Sequence, residues 1–279
     1  MDAFIIILTG SLVAVSCALL GSFLILRKMS MVGDAISHSV LPGIVIAYFI
    51  AGSMQSVWML VGAGLLGIIT TFLIEFFHQK GRLQTDASIG VTFTWLFALG
   101  VILVTYYAGN AHIDQDCILY GEIAYVPIDL MYDSNGNAIG PKALIILSVV
   151  LVIILIFISL FYKELFITTF DASFAKAIGI SSSKWHYILM SLVSLTTVAS
   201  FESVGAILVV ALLIAPAASA YLITNKLKAM LLLSSVFGIT SSFFGYWLSY
   251  FLDGSIAGAI VTVSGLTFGV CYAIVQFRK

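Results

Sequence analysis

The sequence predicts an all-α, polytopic membrane protein of about nine transmembrane helices (range 8–10), N-terminus outside and C-terminus cytoplasmic. Three observations predict it. The chain has 279 residues, 61% hydrophobic and 9% charged. Soluble domains carry roughly a quarter charged residues, so too few charges are present to clothe a water-facing surface. The apolar residues gather in runs near the ~20 residues that cross a bilayer as a helix. The bases crowd at alternate ends of those runs, as the positive-inside rule requires.

Taken in order, the runs are Phe4–Leu26, Ala35–Ile50, Val57–Phe77, Ser88–Tyr107, Ala143–Tyr162, Trp185–Ser200, Val204–Ile223, Ala229–Phe251 and Ser255–Phe277. The first lacks the basic leader and small-residue cleavage site of a signal peptide and reads as a retained span. The second carries Pro42 and the seventh Pro216. Proline has no N–H to donate, so both helices are expected to kink or break and free a carbonyl. Gly62–Gly67, Gly254–Gly258 and Gly265–Gly269 read as small-residue faces for close helix packing. Cys17 and Cys271 fall within spans and read as small core residues. With Cys117 they form no CxxC pair and no zinc-site spacing.

Threading nine spans from an outside N-terminus puts eleven of the 12 bases inside: Arg27, Lys28, Lys80, Arg82, Lys163, Lys176, Lys184, Lys226, Lys228, Arg278 and Lys279. Lys142 alone lands outside. The outer segment 108–141 is acidic, with Asp114, Asp116, Glu122, Asp129 and Asp133. It reads as a solvated loop whose charge can also draw cations to the mouth. Within it Cys117–Ile128 is apolar but too short to span, and lies at the interface or dips in as a re-entrant piece. The DSNGNAIGP that follows is dense in turn formers and reads as an exposed loop. The cytoplasmic loop 163–184 holds a short helix from Asp171, with Phe170, Phe174, Ala177 and Ile178 on one side and Gly179 as terminator. Such an amphipathic helix lies in the headgroup layer or docks into a partner's groove.

Asp34 and His38 open the second span, four residues apart. On a helix that spacing stacks both side chains on one face. A carboxylate and an imidazole so placed can share a divalent cation; the alternative is a hydrogen-bonded pair that locks two helices together. Glu202, between the sixth and seventh spans, is either a helix-start acid favoured by the dipole or part of a cation entry path. Glu75, His78, the Thr85-Asp86 pair, His112 and His186 lie near span ends or in loops and read as structural. Gly62, Gly64 and Gly67 spell GxGxxG, but inside an apolar span with no preceding strand, so no dinucleotide site is read. The chain contains no GxxxxGK[ST], HExxH or GxSxG, which excludes a P-loop of its own and the well-marked metalloprotease and hydrolase sites. The net charge of −1 gives no footprint for nucleic acid.

With these residues in hand, the chain resembles the permease family of bacterial manganese, zinc and iron uptake importers of the ATP-binding-cassette class. The likeness rests on GSFLILRKMSMVGDAISHSVLPGI (Gly21–Ile44), DCILYGEIAYVP (Asp116–Pro127), TFDASFAKAIGI (Thr169–Ile180) and VGAILVVALLIAPAASA (Val204–Ala220). It implies a single permease domain over 1–279, similar to type II importers, multi-pass in the bacterial cell membrane. It implies a homodimer around a central path, two cytosolic ATP-binding subunits and an external metal-binding lipoprotein. No permanent cofactor is implied: the metal is cargo, and ATP is on the partner. Asp34 and His38 match the family's metal-contacting motif; Glu202 is a further metal-contact candidate from its own position in the chain and not from the motif. Phe170, Asp171, Ala175, Gly179 and Ile180 match the block that meets the ATPase. Carboxylate and imidazole ligands without thiolates suit manganese, iron or zinc better than copper; manganese leads from the closeness of the blocks. A secondary, ion-coupled metal transporter using Asp34, His38 and Glu202 is the alternative, and an intramembrane metalloenzyme a third reading.

Overall fold

The computed structural model describes residues 2–51, 56–107, 123–132 and 138–277. Among them, nine helical spans are long and apolar enough to cross a membrane. They are α1 (Asp2–Leu26), the pair α2 (Val32–Ser39) and α3 (Leu41–Ala51), α4 (Ser56–Gln79), α5 (Thr85–Tyr107) and α6 (Lys142–Leu160). After two short helices, α7 (Tyr162–Phe170) and α8 (Ala172–Ala177), come α9 (Ser182–Val204), α10 (Ala206–Ile223), α11 (Leu227–Leu252) and α12 (Ile256–Phe277).

The core is built around α1, which packs chiefly against α10 and α11. Val13, Ala14, Cys17, Leu20, Phe23 and Leu24 of α1 are fully buried. Lipid tails are as apolar as leucine, so helices adhere by close packing and interhelical hydrogen bonds rather than by escape from water. The sequence supplies both. A Cβ on Gly21 would overlap the Leu213 carbonyl, and one on Gly238 would press on Ala14. Ser22 and Ser234 share a hydroxyl bond of 3.1 Å between α1 and α11; Ser39 and Thr70 share one of 2.8 Å between α2 and α4. Other hydroxyls return to their own helix, as Thr9 to the Ile5 carbonyl at 2.8 Å and Thr197 to that of Val193 at 2.7 Å, so few polar groups face lipid unpaired.

Proline acts differently in its two settings. Helix α2 stops at Ser39 and α3 starts at Leu41, because Pro42 cannot donate to the carbonyl four residues back, that of His38. Gly100 of α5 lets the next span press on this break, since a Cβ there would stand 2.8 Å from the Pro42 ring. Pro216, by contrast, sits inside a helix that continues to Ile223. Of the two outcomes expected for Pro216, the break does not occur: the buried proline is carried within a continuous helix.

Three other expectations are refined. Gly62 and Gly67 do mediate close packing, against Gly43 and Ala47 and against Ser194. A Cβ placed on Gly265 or Gly269 would find nothing within 4 Å, and Gly254 and Gly258 meet only nearby residues of their own turn. The turn-rich stretch after Asp129 ends in a strand: Leu130–Tyr132 pairs antiparallel with Ala138–Pro141, with a bulge between Met131 and Tyr132. The described half of the Cys117–Ile128 piece forms a 3-10 turn, Ile123–Tyr125, packed on α1 and α12 with Ile123 buried. Residues 117–122, together with Asp114, Asp116, Glu122, Asp133, His112, Cys117, Arg278 and Lys279, lie outside the described residues.

The two ends of the bundle differ in kind. Arg27 bonds to Thr168 and Thr169, and the Lys228 ammonium lies 5.4 Å from the Tyr162 ring centre, so these basic connections meet at one end. Lys142 and Glu202 pair at the other, with their Nζ and Oε1 atoms 2.6 Å apart.

Candidate functional site

Helix α2 is short, and its eight residues present Val32, Gly33, Ala35, Ile36 and Ser39 to the interior. Asp34 and His38 are thereby turned the other way, towards a cavity. His38 Nε2 lies 3.5 Å from Asp34 Oδ1, and about a third of each side chain is exposed. That separation is within the span of two ligands on one divalent ion, each about 2.1 Å from it. The cavity, of about 400 Å³, is completed by Ala206, Ile207, Val210, Ala211, Ile214 and Ala215 of α10 and Val261 of α12. Asp34 and His38 are its ionisable residues; the rest of its lining is apolar. From Ala206 to Ala215 it follows α10 for roughly 14 Å at 1.5 Å per residue. Gly33 packs on the Leu213 side chain, which sets the pair level with the middle of α10 rather than at the basic end where numbering alone puts it.

The imidazole is held from behind. Phe93 and Phe97 of α5 each place a ring centre 5.9 Å from that of His38, one tilted and one edge-on. The break at Pro42 removes the helical donor to the His38 carbonyl. Among the described residues no group of three or more His, Cys, Asp or Glu side chains could enclose a metal. Two ligands on a cavity of this volume, which has room for many waters, would leave most of an ion's coordination to water, as suits an ion in passage.

Glu202 is not on this cavity. It lies in the last turn of α9 and not at a helix start, because the helix runs on from the sixth span to Val204 before Gly205 ends it; there it lines a smaller cavity with Lys142, Asp129, Tyr125 and Ser203. There it meets Lys142, the one base that the sequence puts outside.

The residues of the 169–180 block form a well-defined element. Asp171 caps α8, its Oδ1 accepting from the Phe174 N–H at 2.8 Å. The far end closes as a Schellman turn: the Ile180 N–H reaches the Ala175 carbonyl at 2.8 Å, and the Gly179 N–H that of Lys176 at 3.2 Å. Gly179 has φ +83°, where a side chain would be strained. Ala175 is buried, whereas Phe170, Phe174 and Ile178 are about half exposed. Three apolar side chains thus project from a rigid turn at the basic end.

Sequence reasoning missed a polar cluster beside this element. Arg27 Nε donates to Thr169 Oγ1 and Nη2 to Thr168 Oγ1, both at 3.2 Å; Nη1 is 3.5 Å from His186 Nδ1. On the other edge of that ring, His186 Nε2 lies 3.2 Å from Glu75 Oε2. Burial pushes the Arg27 guanidinium down to about 10, which leaves it charged at neutral pH. His78, in contrast, sits exposed with Nδ1 2.9 Å from the Leu83 carbonyl, as a helix-end residue should.

Residues 3–275 match the ABC 3 transport family. Among characterised relatives, the chain is 50% identical over 268 residues to the manganese transport system membrane protein MntD of Bacillus subtilis, covering 96% of this chain and 89% of that one. It is 43% identical to the zinc transport system membrane protein TroD of Treponema pallidum, covering 96% and 72%. Its fold matches PsaBC of Streptococcus pneumoniae, solved in complex with Fab, with a TM-score of 0.77 and 35% identity over 96% of this chain and 90% of that one.

Proposed function

The chain belongs to the ABC 3 transport family, and on that premise we propose that it carries manganese into the cell, driven by ATP hydrolysed on a separate subunit. It is a multi-pass permease of the bacterial plasma membrane. Manganese is preferred to zinc because the relative at 50% identity is a manganese system and the zinc system stands at 43%. The observation that carries the reading is the Asp34–His38 pair on a cavity otherwise lined by apolar side chains. Ionisable groups at membrane depth are costly and face a path or a partner.

On this reading two copies of the chain flank the path, with the N-terminus outside, and sit on two ATP-binding subunits. An external lipoprotein delivers the metal. Asp34 supplies an oxygen and His38, as neutral imidazole, a nitrogen, and together they replace part of the hydration the ion sheds. Binding stays weak, since an ion held tightly would not leave. Glu202, ion-paired with Lys142, belongs to the entrance rather than to this pair. Phe170, Asp171, Ala175, Gly179 and Ile180 form the element that meets the ATPase, whose nucleotide cycle biases two arrangements of the permease. Metal accumulation in cells with and without the companion ATPase, scanning manganese, zinc and iron, tests this. Manganese uptake that requires the ATPase is expected; uptake driven by an ion gradient alone would replace the reading with a secondary transporter.

A further inference from the structure

We propose that Arg27 is a positioning residue for transport: its guanidinium ties the ATPase-facing segment α7–α8 to the turn that leads into α2 and its Asp34–His38 pair. The inference rests on the coupling role proposed above for the 170–180 element.

One fork joins four parts of the chain. Arg27, just beyond α1, donates to Thr168 and Thr169 at the end of α7 and contacts His186 at the start of α9, and His186 contacts Glu75 near the end of α4. The direction of the chain of bonds is fixed. Arginine has donors and no acceptor, so His186 Nδ1 must accept, which places its proton on Nε2, facing the Glu75 carboxylate. The His186 and Glu75 side chains are 15% and 13% exposed, so water competes little for these contacts. A charge so placed is costly to bury. Packing alone would be met by apolar residues, but only a planar fork fixes two hydroxyls and a ring in one orientation.

The connection onward is short. Met29 N–H bonds to the Leu24 carbonyl at 2.9 Å, closing α1 in a Schellman turn with Lys28 at φ +59°. A non-glycine residue in that conformation marks a tight, defined reversal. Helix α2 follows at Val32. A shift of α7 relative to α1 therefore acts on the residue that leads directly into the turn before Asp34.

The test uses the full permease with its ATPase subunits in vesicles of phosphatidylethanolamine and phosphatidylglycerol, measuring Mn²⁺ accumulated per ATP hydrolysed. Arg27→Gln and the near-isosteric pair Thr168→Val/Thr169→Val are expected to assemble and to hydrolyse ATP within about twofold of wild type, while Mn²⁺ moved per ATP falls at least tenfold. Arg27→Lys should recover part of the loss. Should Arg27→Gln not assemble, the threonine pair decides alone. A wild-type ratio in the threonine pair overturns the inference. Asp171→Ala, run in parallel, separates the two claims: if it uncouples while the Arg27 and threonine variants do not, the coupling reading stands and this one falls. Wild-type ATP turnover together with a wild-type ratio in Asp171→Ala overturns the coupling reading and this inference with it.

Discussion

At the residue scale the proposed path turns on a carboxylate and an imidazole, and the packing around it on a glycine. Asp34 and His38 share one face of α2 and one cavity, so removing either should strip a ligand while leaving the buried face of α2 untouched. Asp34→Ala and His38→Ala are each expected to lower metal uptake at least tenfold, with normal complex yield on size-exclusion chromatography. Gly21 has the opposite character. A Cβ there would meet the Leu213 backbone rather than a movable side chain, so Gly21→Val must part α1 from α10. An overpacking cost of about 1–3 kcal/mol should appear as a lower melting temperature of the purified permease, without a specific effect on metal. The pairing of Asp34 with His38 was legible from their spacing alone. Arg27 was not, because its partners lie 141 to 159 residues away, beyond anything helical periodicity can report.

Among the elements, the spans followed the hydropathy closely because a helix that crosses lipid must satisfy its backbone internally, which leaves apolar length as the dominant signal. What failed were elements whose outcome depends on neighbours. Pro42 ends a helix and Pro216 does not, although both remove the same donor. The strands Leu130–Tyr132 and Ala138–Pro141 are too short to show a period of two. Glycines 265 and 269 matched a packing pattern, yet a Cβ on either would find nothing within 4 Å among the described residues. Helix α8 was predictable because both of its ends are written in side-chain chemistry, an aspartate cap and a glycine stop. Removing the cap by Asp171→Ala should cost about 1 kcal/mol of local stability, and Gly179→Val about 1–2 kcal/mol for a side chain at positive φ. Both variants should weaken stimulation of the companion ATPase by the permease, measured as ATP turnover of the assembled complex, with membrane insertion unaffected.

For the whole molecule, the distribution of bases along the sequence carries the proposed orientation. Eleven of the 12 bases lie on the side assigned to the cytoplasm, and the exception, Lys142, is bound to Glu202, so its charge is offset locally. In a cysteine-free background, Asp253→Cys should react with a membrane-impermeant thiol reagent added outside intact cells, and Asn225→Cys should not; both positions are exposed turns. The reverse labelling would invert the topology and with it the direction of transport. Transport as proposed requires that the ion pass Asp34 and His38. The most direct measurement is ATP-driven Mn²⁺ accumulation by the reconstituted complex carrying Asp34→Asn together with His38→Gln. Hydrolysis that continues while accumulation falls to background is the predicted result; accumulation at the wild-type rate would contradict it.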